Sequence, residues 1–333
     1  MRVSCGPARF PARATDSPPS THYVDSTGET PFVRRMRERY DAKAGETGAL
    51  IVPMCGFDSV PSDLGVLAAV LKLRERGFDS VEEAASYVTL VGGVSGGTLQ
   101  TGIVMESDPA LQAVVEDPFA LGGGPVDAAH LAASKVVREA RFDEAVRQWT
   151  APFLMEQLNT RVVRASAAEL AYRRPGSGGF VYREFAATGS SGREAAERLA
   201  RPGPPAHKRE AMIKAGQLPK PGDGPAPDAR ARAWFQVLVR ARAAGIAAGP
   251  RDAGDAEVWI SVTGGDAGYE DTAAMVCEAA LTLALQRDAL PRGRRGGVVT
   301  PAVGLGSALI ERLTAAGILF QVVPGPAAVR GRL

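Results

Sequence analysis

The sequence lacks the charge bias that marks nucleic-acid-binding proteins. Its 333 residues carry 39 Lys and Arg against 37 Asp and Glu, a formal net charge of +2 with no dominant basic or acidic block. Because binding to nucleic acid depends on clustered positive charge, this balance argues against such a partner. Hydrophobic residues make up 45% of the chain, and its length suits two domains. We therefore expect a globular protein with a sizeable core.

Cysteine and histidine are scarce as well. The three cysteines, Cys5, Cys55 and Cys277, have no paired spacing, and the three histidines are equally dispersed. Neither a disulfide framework nor a metal site is predicted from this pattern. A reducing, cytoplasmic compartment is the default expectation.

Long hydrophobic runs and common catalytic signatures are also missing. The longest uncharged run, residues 84–105, is interrupted by five glycines and begins with strand-like alternation, so it is a poor membrane helix. The chain contains no GxSxG, GKS/T, HExxH or CxxC motif. The residues alone therefore predict an architecture but no particular reaction.

Strand and helix patterns alternate from residue 21 to residue 82, which indicates an α/β unit. The apolar run ALIVPMCGF is typical of a buried parallel strand. Helical patterns begin at Thr30 and Ser62, and we expect them to end at Gly45 or Gly48 and at Gly77.

A different composition begins near residue 83 and predicts an α+β domain over residues 83–264. Its expected strands are SYVTLV, LNTRVVRAS, GFVYREFAATG, WFQVLVRARAAG and AEVWISVTGG. Residues 201–228 are rich in proline and glycine and are expected to form a surface excursion. Residues 265–333 return to helices, of which DTAAMVCEAALTLAL should be buried against the first domain. Residues 1–20 are expected to be a disordered leader, with a transit peptide or a misassigned start as alternatives.

The stretch MCGFDSVPSDLG allows two interpretations. Ser59, Ser62 and Asp63 are ordinary capping residues, so the stretch can be a simple strand-to-helix turn. Ligands of open α/β sheets, however, bind outside the carboxyl ends of the strands, where Gly56 and Asp58 should lie. Capping is the more common role, and both interpretations stay open.

Two other turns carry similar alternatives. GGVSGGT could present backbone N–H groups to an anion, or could be a helix entry capped by Thr98. GGDAGYEDTA places Asp266, Glu270 and Asp271 at a helix N-terminus, where capping is the favoured interpretation.

Eight segments together resemble the saccharopine dehydrogenase-like oxidoreductases, the family that includes the trans-acting enoyl reductases. In order they are YVDSTGE (23–29), CGFDSVPSDLG (55–65), SGGT (95–98), NTRVVRAS (159–166), FVYREF (180–185), LPKPGDGP (218–225), GGDAGYEDTA (264–273) and VVTPAVGLGSALIERLTAAGI (298–318). Each motif is weak alone, but their collinear order covers the chain from about residue 21 to about residue 323.

The resemblance implies a Rossmann-type NAD(P) domain, an α+β second domain and C-terminal helices that pack back on the first. It implies NAD(P) as cofactor and a role in reduction or lipid metabolism. Asp58 and Ser59 would be the polar groups near the reacting carbon. The implied cofactor-binding residues are Gly28, Glu29, Gly56 and Phe57, and the implied substrate cleft contains Asp63, Ser95, Gly96, Gly97 and Thr98.

One family feature is missing from the sequence. Family members begin with a strand and a GxxGxxG turn that holds the pyrophosphate, and no such turn precedes Tyr23. We therefore expect an incomplete Rossmann-type sheet, a truncated chain and weak dinucleotide binding by this chain alone. A non-catalytic binding or interaction module is the alternative function. Expected partners are a lipid-like small molecule, a membrane or lipid-droplet surface and a second copy of the chain, while NAD against NADP stays open.

Overall fold

The computed structural model describes residues 21–188, 192–201, 203–244, 256–293 and 295–326. The expected leader lies outside these residues. The strands are β1 (Tyr23–Val24), β2 (Leu50–Val52), β3 (Val81–Val91), β4 (Arg141–Asp143), β5 (Gln148–Pro152), β6 (Val181–Ala187), β7 (Trp234–Ala243), β8 (Glu257–Gly264), β9 (Gly297–Val298) and β10 (Leu319–Val323). The helices are α1 (Thr30–Thr47), α2 (Val60–Glu75), α3 (Gly96–Ser107), α4 (Pro109–Glu116), α5 (Ala128–Ala133), α6 (Glu156–Glu169), α7 (Gly192–Ala200), α8 (Ala206–Lys214), α9 (Pro227–Ala231), α10 (Glu270–Leu285), α11 (Pro301–Gly304) and α12 (Gly306–Ala315).

A small parallel sheet has the strand order β1-β2-β9. All three residues of β2 are buried, which confirms the parallel strand predicted from ALIVPMCGF. Each strand is followed by a helix, so α1, α2 and α11 begin at the same edge of this sheet. Gly48, with φ 73°, ends α1, which decides between the two expected stops.

A second, seven-stranded sheet has the order β10-β8-β7-β3-β6-β5-β4. Its pairings are antiparallel except for β3 with β6, which are parallel. Helix α2 packs across β7 and β8, and α11 and α12 pack on α2. One buried core therefore joins both sheets and the C-terminal helices, which confirms the expected α/β architecture and the return of these helices. The domain boundaries stay a prediction.

The segment NTRVVRAS lies in helix α6, so the prediction of a strand there is wrong. Arg161 and Arg164 are buried in this helix, where Arg161 donates to the carbonyls of Val115 and Asp117 and Arg164 to those of Pro118 and Tyr182. The mixture of Thr, Val and Arg in this segment is typical of a half-exposed strand. The arginines are instead accommodated by carbonyl groups distant in sequence, which no local pattern reveals.

Several elements were not predicted from the sequence. They are the hairpin β4–β5, the short helices α4, α5, α7, α9 and α11, helix α8 within the proline-rich excursion, and strands β9 and β10. The expected burial of α10 holds for one side only, because Met275 and Ala279 are buried while Leu285 is 68% exposed. No helix in the described ranges is long and apolar enough to cross a membrane.

Candidate functional site

The loop after β1 and helix α3 meet at the carboxylate of Glu29. Oε2 accepts hydrogen bonds from the Thr27 hydroxyl and from the Gly28 N–H at 3.2 Å, while Oε1 accepts one from the Thr101 hydroxyl at 3.1 Å. Because both carboxylate oxygens are held, Glu29 has one defined orientation. Thr101 belongs to the helix that begins with the SGGT motif, so this contact connects the predicted cofactor side with the predicted substrate side.

Asp58 lies directly beside this loop. A Cβ placed on Gly28 would stand 3.2 Å from Asp58 Oδ2, so glycine permits the close approach. Burial and, to a smaller extent, the nearby charge of Glu29 together raise the pKa of Asp58 to about 6. The two carboxyl groups therefore form a pair in which Asp58 retains a proton more readily than an ordinary aspartate.

Asp25 holds the loop after β1 and the loop after β2 in position. Its carboxylate accepts from the N–H groups of Thr27 and Met54, each at 3.0 Å, and from the Tyr23 hydroxyl at 2.9 Å. Its carbonyl accepts from the Cys55 N–H at 2.7 Å. Met54 is one of few non-glycine residues with positive φ, at 65°, and the bond to Asp25 helps to hold that conformation. Asp25 is not among the site residues predicted from the sequence, although it directly follows β1 in YVDSTGE.

Gly56 and Phe57 pack against the start of α10, so no open space separates the loop after β2 from that helix. A Cβ on Gly56 would lie 3.1 Å from Ser26 Cβ and 3.2 Å from Thr272 Cγ2. The Phe57 N–H donates to Thr272 Oγ1 at 3.0 Å, and the Phe57 ring meets that of Phe235 edge to face at 4.8 Å. The structure thus brings the four predicted cofactor-binding residues and Asp58 to neighbouring loops.

The SGGT turn differs from its prediction in one respect. Ser95, and not Thr98, caps α3, because Ser95 Oγ accepts from the Thr98 N–H at 3.0 Å. The Gly96 N–H donates to the Asp223 carbonyl at 3.1 Å, and a Cβ on Gly96 would overlap Lys220 O. At least two amide groups of this turn are therefore used by the chain itself, which disfavours an anion cradle. The substrate-cleft role of Ser95, Gly96, Gly97 and Thr98 stays a prediction.

The polar residues at the start of α2 do not cap that helix, so the capping interpretation is wrong. Ser59 occupies the cap position, but its hydroxyl makes no cap bond and is buried without a partner among the described residues. Ser62 donates to Glu184 at 2.5 Å, and Asp63 Oδ2 accepts from the Ala302 N–H at 2.8 Å. Asp63 is fully buried and contacts the start of α11, so its predicted place in a substrate cleft gains no support.

A second buried polar cluster, which sequence reasoning missed, surrounds Glu184. This fully buried carboxylate accepts from Ser62, from Asn159 Nδ2 at 2.7 Å and from the Tyr182 hydroxyl at 3.1 Å. Burial raises its pKa to about 7. Tyr182 and Glu184 stand two residues apart in FVYREF and so share one face of β6, a period-two signal in the sequence. The cluster fixes the first turn of α2 to α6 and to the sheet.

The turn before α10 places its acidic residues at the helix N-terminus as predicted, but the expected solvated capping is only partly observed. Asp266 is buried, and its Oδ2 accepts from the N–H of Glu270, the first helical residue, at 3.3 Å. The cap residue Tyr269 makes no side-chain cap bond, and Asp271 accepts from the loop N–H of Gly265 at 2.6 Å.

The charges at this sheet edge limit what a dinucleotide could contact. Glu29 precedes α1, Asp58 precedes α2 and Asp63 lies at the start of α11, so each helix N-terminus that follows the parallel sheet has a carboxyl group beside it. A pyrophosphate does not fit there, because its charge would meet these carboxylates. Carboxyl groups do not repel a nicotinamide ring, neutral or cationic, so the charges at this edge permit that part of a dinucleotide. Among the described residues no group of three or more His, Cys, Asp or Glu could hold a metal ion.

Comparison with known proteins gives consistent names. No family model matches the chain. A Mycobacterium tuberculosis H37Rv protein named as a trans-acting enoyl reductase is 34% identical over 334 residues, which cover 94% of this chain and 76% of that protein. Trans-acting enoyl reductases of Mycobacterium bovis BCG and Mycobacterium ulcerans are 30% and 31% identical, covering 93% and 94% of this chain and 76% of each relative.

A solved structure also aligns with most of the chain. It is the apo saccharopine dehydrogenase (L-Glu forming) of Saccharomyces cerevisiae, at 12% identity and a TM-score of 0.39. The alignment covers 91% of this chain and 80% of that one.

Proposed function

This chain belongs to the trans-acting enoyl reductase family, a family of oxidoreductases, and we propose from that membership that it reduces the carbon–carbon double bond of an enoyl substrate. A nicotinamide dinucleotide, when bound, supplies the hydride for one carbon of that bond, and a proton must reach the other. The function proposed for this chain's own residues is to place the double bond and to deliver that proton.

The pair of Asp58 and Glu29 is the observation that supports this proposal. Asp58 has a pKa raised to about 6 and lies at the carboxyl end of the parallel sheet, where ligands of such sheets bind. A carboxylic acid that titrates near the working pH is suited to general acid catalysis. Asp58 gives its proton to the α-carbon as hydride reaches the β-carbon, and it regains a proton from water. We assign no direct contact to Ser59, because its hydroxyl is buried.

Glu29 acts on Asp58 without touching the substrate in this proposal. Its negative charge, held by Thr101 and Gly28, disfavours ionisation of Asp58. The fixed anion therefore increases the fraction of Asp58 that carries a proton at a given pH.

The surroundings support an apolar, lipid-like acyl group on the substrate. Leu90, Val91 and Val94, which lead from β3 into the SGGT turn, are each more than 40% exposed. Exposed apolar side chains beside a candidate site are common where an apolar ligand binds. The same exposure is compatible with the expected contact to a membrane or lipid-droplet surface.

Cofactor binding and turnover test the proposal together. The melting temperature of the purified chain is followed during titration with NADPH and with NADH, since a ligand of the folded state stabilises by mass action. Cofactor oxidation is then measured with crotonyl-CoA, with saturated butyryl-CoA as the matched control. We expect thermal stabilisation by one cofactor and oxidation only with the enoyl thioester. No stabilisation at millimolar cofactor and no oxidation would favour the alternative, a non-catalytic binding module.

A further inference from the structure

The seven-stranded sheet has two edges of very different character. At one edge, β4 is three residues long and carries the charged side chains of Arg141 and Asp143. At the other edge, β10 has the sequence LFQVV, without a charge or a proline. Short length and charge are the usual features that prevent edge strands from pairing with other chains. The edge at β4 has these features, and the edge at β10 has neither.

The outer side of β10 has no neighbouring strand in the described part of the chain. Its inner side pairs antiparallel with β8 over all five residues. Phe320 and Val322 lie opposite the core residues of β8, whereas Leu319, Gln321 and Val323 face the other side of the sheet. Val322 is 53% exposed and Leu319 is 37% exposed. The edge therefore combines unpaired main-chain groups with apolar side chains.

The pattern of β10 is the same in both directions. Two apolar residues stand on each side of a central glutamine. When two copies meet antiparallel about a two-fold axis at Gln321, Leu319 lies opposite Val323 and Phe320 lies opposite Val322 of the second copy. The central glutamines can exchange amide hydrogen bonds, and no like charges oppose each other. Two-fold pairing of identical surfaces is the commonest form of protein assembly.

We propose that β10 pairs antiparallel with β10 of a second copy of this chain, which joins two seven-stranded sheets into one continuous sheet. Main-chain hydrogen bonds supply the affinity, as in other cases of strand addition, and the palindromic side-chain pattern supplies the preference for an identical strand. This interface lies at the sheet edge and is independent of the reaction at Asp58.

Disulfide trapping tests the register. Directly opposed residues of antiparallel strands have Cα atoms about 4.5–5.5 Å apart, which a disulfide can span. With oxidised glutathione as oxidant, Gln321→Cys should therefore yield a covalent dimer. The matched controls are the unchanged chain, which already has the exposed Cys277, and Leu154→Cys at a site that is 75% exposed. A Gln321→Cys variant that forms no more dimer than these controls would overturn the proposal.

Mass measurement tests the assembly without added cysteine. In size-exclusion chromatography with light scattering we expect the unchanged chain to approach twice its monomer mass as concentration rises. Val322→Lys should remain monomeric, since each lysine would lie opposite Phe320 of the other copy and the two lysines would be diagonal neighbours on one face of the sheet. Val104→Lys, at a 50% exposed position on α3, should dimerise normally. A monomeric unchanged chain, or equal dimerisation by Val322→Lys in a folded state shown by circular dichroism, contradicts the interface. Loss of the dimer in Val104→Lys would show that the dimer forms through another surface of the chain, and would also contradict the proposal.

Discussion

The pKa of Asp58 is raised for two separable physical reasons. Burial makes the ionised form costly, and the Glu29 carboxylate adds repulsion. Glu29 in turn depends on Thr101, which reaches it from helix α3. The neighbours of Glu29 include two further acidic groups, Asp25 and Asp58, so the Thr101 hydroxyl helps to hold the Glu29 carboxylate beside them.

Thr101→Val should shift the pH dependence of the reaction. Loss of the hydroxyl releases one oxygen of the Glu29 carboxylate, which can then move away from Asp58, so the repulsion on Asp58 weakens and the pKa of Asp58 falls. We expect the alkaline limb of kcat/KM to move to lower pH by up to about one unit, from the cost of one hydrogen bond to a charged group. The measurement is a pH–rate profile with an enoyl thioester.

Thr101→Ser is the matched control, because it restores the donor. Its profile should coincide with that of the unchanged chain. An unchanged profile in Thr101→Val would show that Glu29 does not depend on this contact.

At the scale of elements, helix α2 is packed more tightly than its sequence shows. Gly65 lies against the sheet, and a Cβ there would stand 2.9 Å from Val239 Cγ2 and 3.1 Å from Val262 Cγ2. We expect Gly65→Ala to lower the free energy of unfolding by about 1–3 kcal/mol through overpacking. Chemical denaturation followed by circular dichroism measures this change.

Gly45 in α1 offers the matched comparison. It is exposed, and a Cβ there would meet nothing within 4 Å. Gly45→Ala should therefore raise the free energy of unfolding by about 0.5–1 kcal/mol, because alanine is the better helix former. Equal effects of the two substitutions would contradict the packing of α2 on the sheet.

The elements also show where sequence patterns succeed and fail. Helix α1, strand β2, helix α2 and strands β7 and β8 were predictable, because the period of their apolar residues matches the element. Helix α6 was not, since its buried arginines find carbonyl partners more than ten residues away. The prediction that Ser62 and Asp63 cap α2 was wrong for the same reason. Their local chemistry is that of caps, but their partners, Glu184 and Ala302, are distant in sequence.

At the scale of the whole molecule, three buried carboxyl groups and the half-buried Asp58 make stability depend on pH. Burial raises the pKa of Asp58 to about 6 and those of Asp63, Glu156 and Glu184 to about 7. Their unfolded pKa values are about 4. Between these values the folded state binds more protons, so stability falls as pH rises. We expect the melting temperature to decrease from about pH 5 to about pH 8, in the window that these pKa values define.

Glu184→Gln provides the control for this trend. The amide keeps much of the hydrogen bonding but does not titrate, so the decrease in melting temperature between about pH 5 and about pH 8 should become smaller. A melting temperature that rises with pH over this window would contradict the raised pKa values.

The arrangement of the candidate site could be predicted only in part from the sequence. Asp58, Gly28 and Glu29 could be placed at one sheet edge, because the loops after parallel strands converge there. The link from Thr101 to Glu29 and the cluster around Glu184 depend on how the two sheets pack. That packing is set by side chains distant in sequence, and no local motif encodes it.

The central claim is that this chain reduces enoyl substrates with Asp58 as the proton donor. The most direct test compares kcat/KM for NADPH-dependent reduction of crotonyl-CoA between the unchanged chain and Asp58→Asn, with the exposed Asp228→Asn as control. Activity of the unchanged chain and of the control should decline above about pH 6, and Asp58→Asn should be about 10²–10⁴-fold less active without that decline. Activity of Asp58→Asn equal to that of the unchanged chain at every pH would contradict the account.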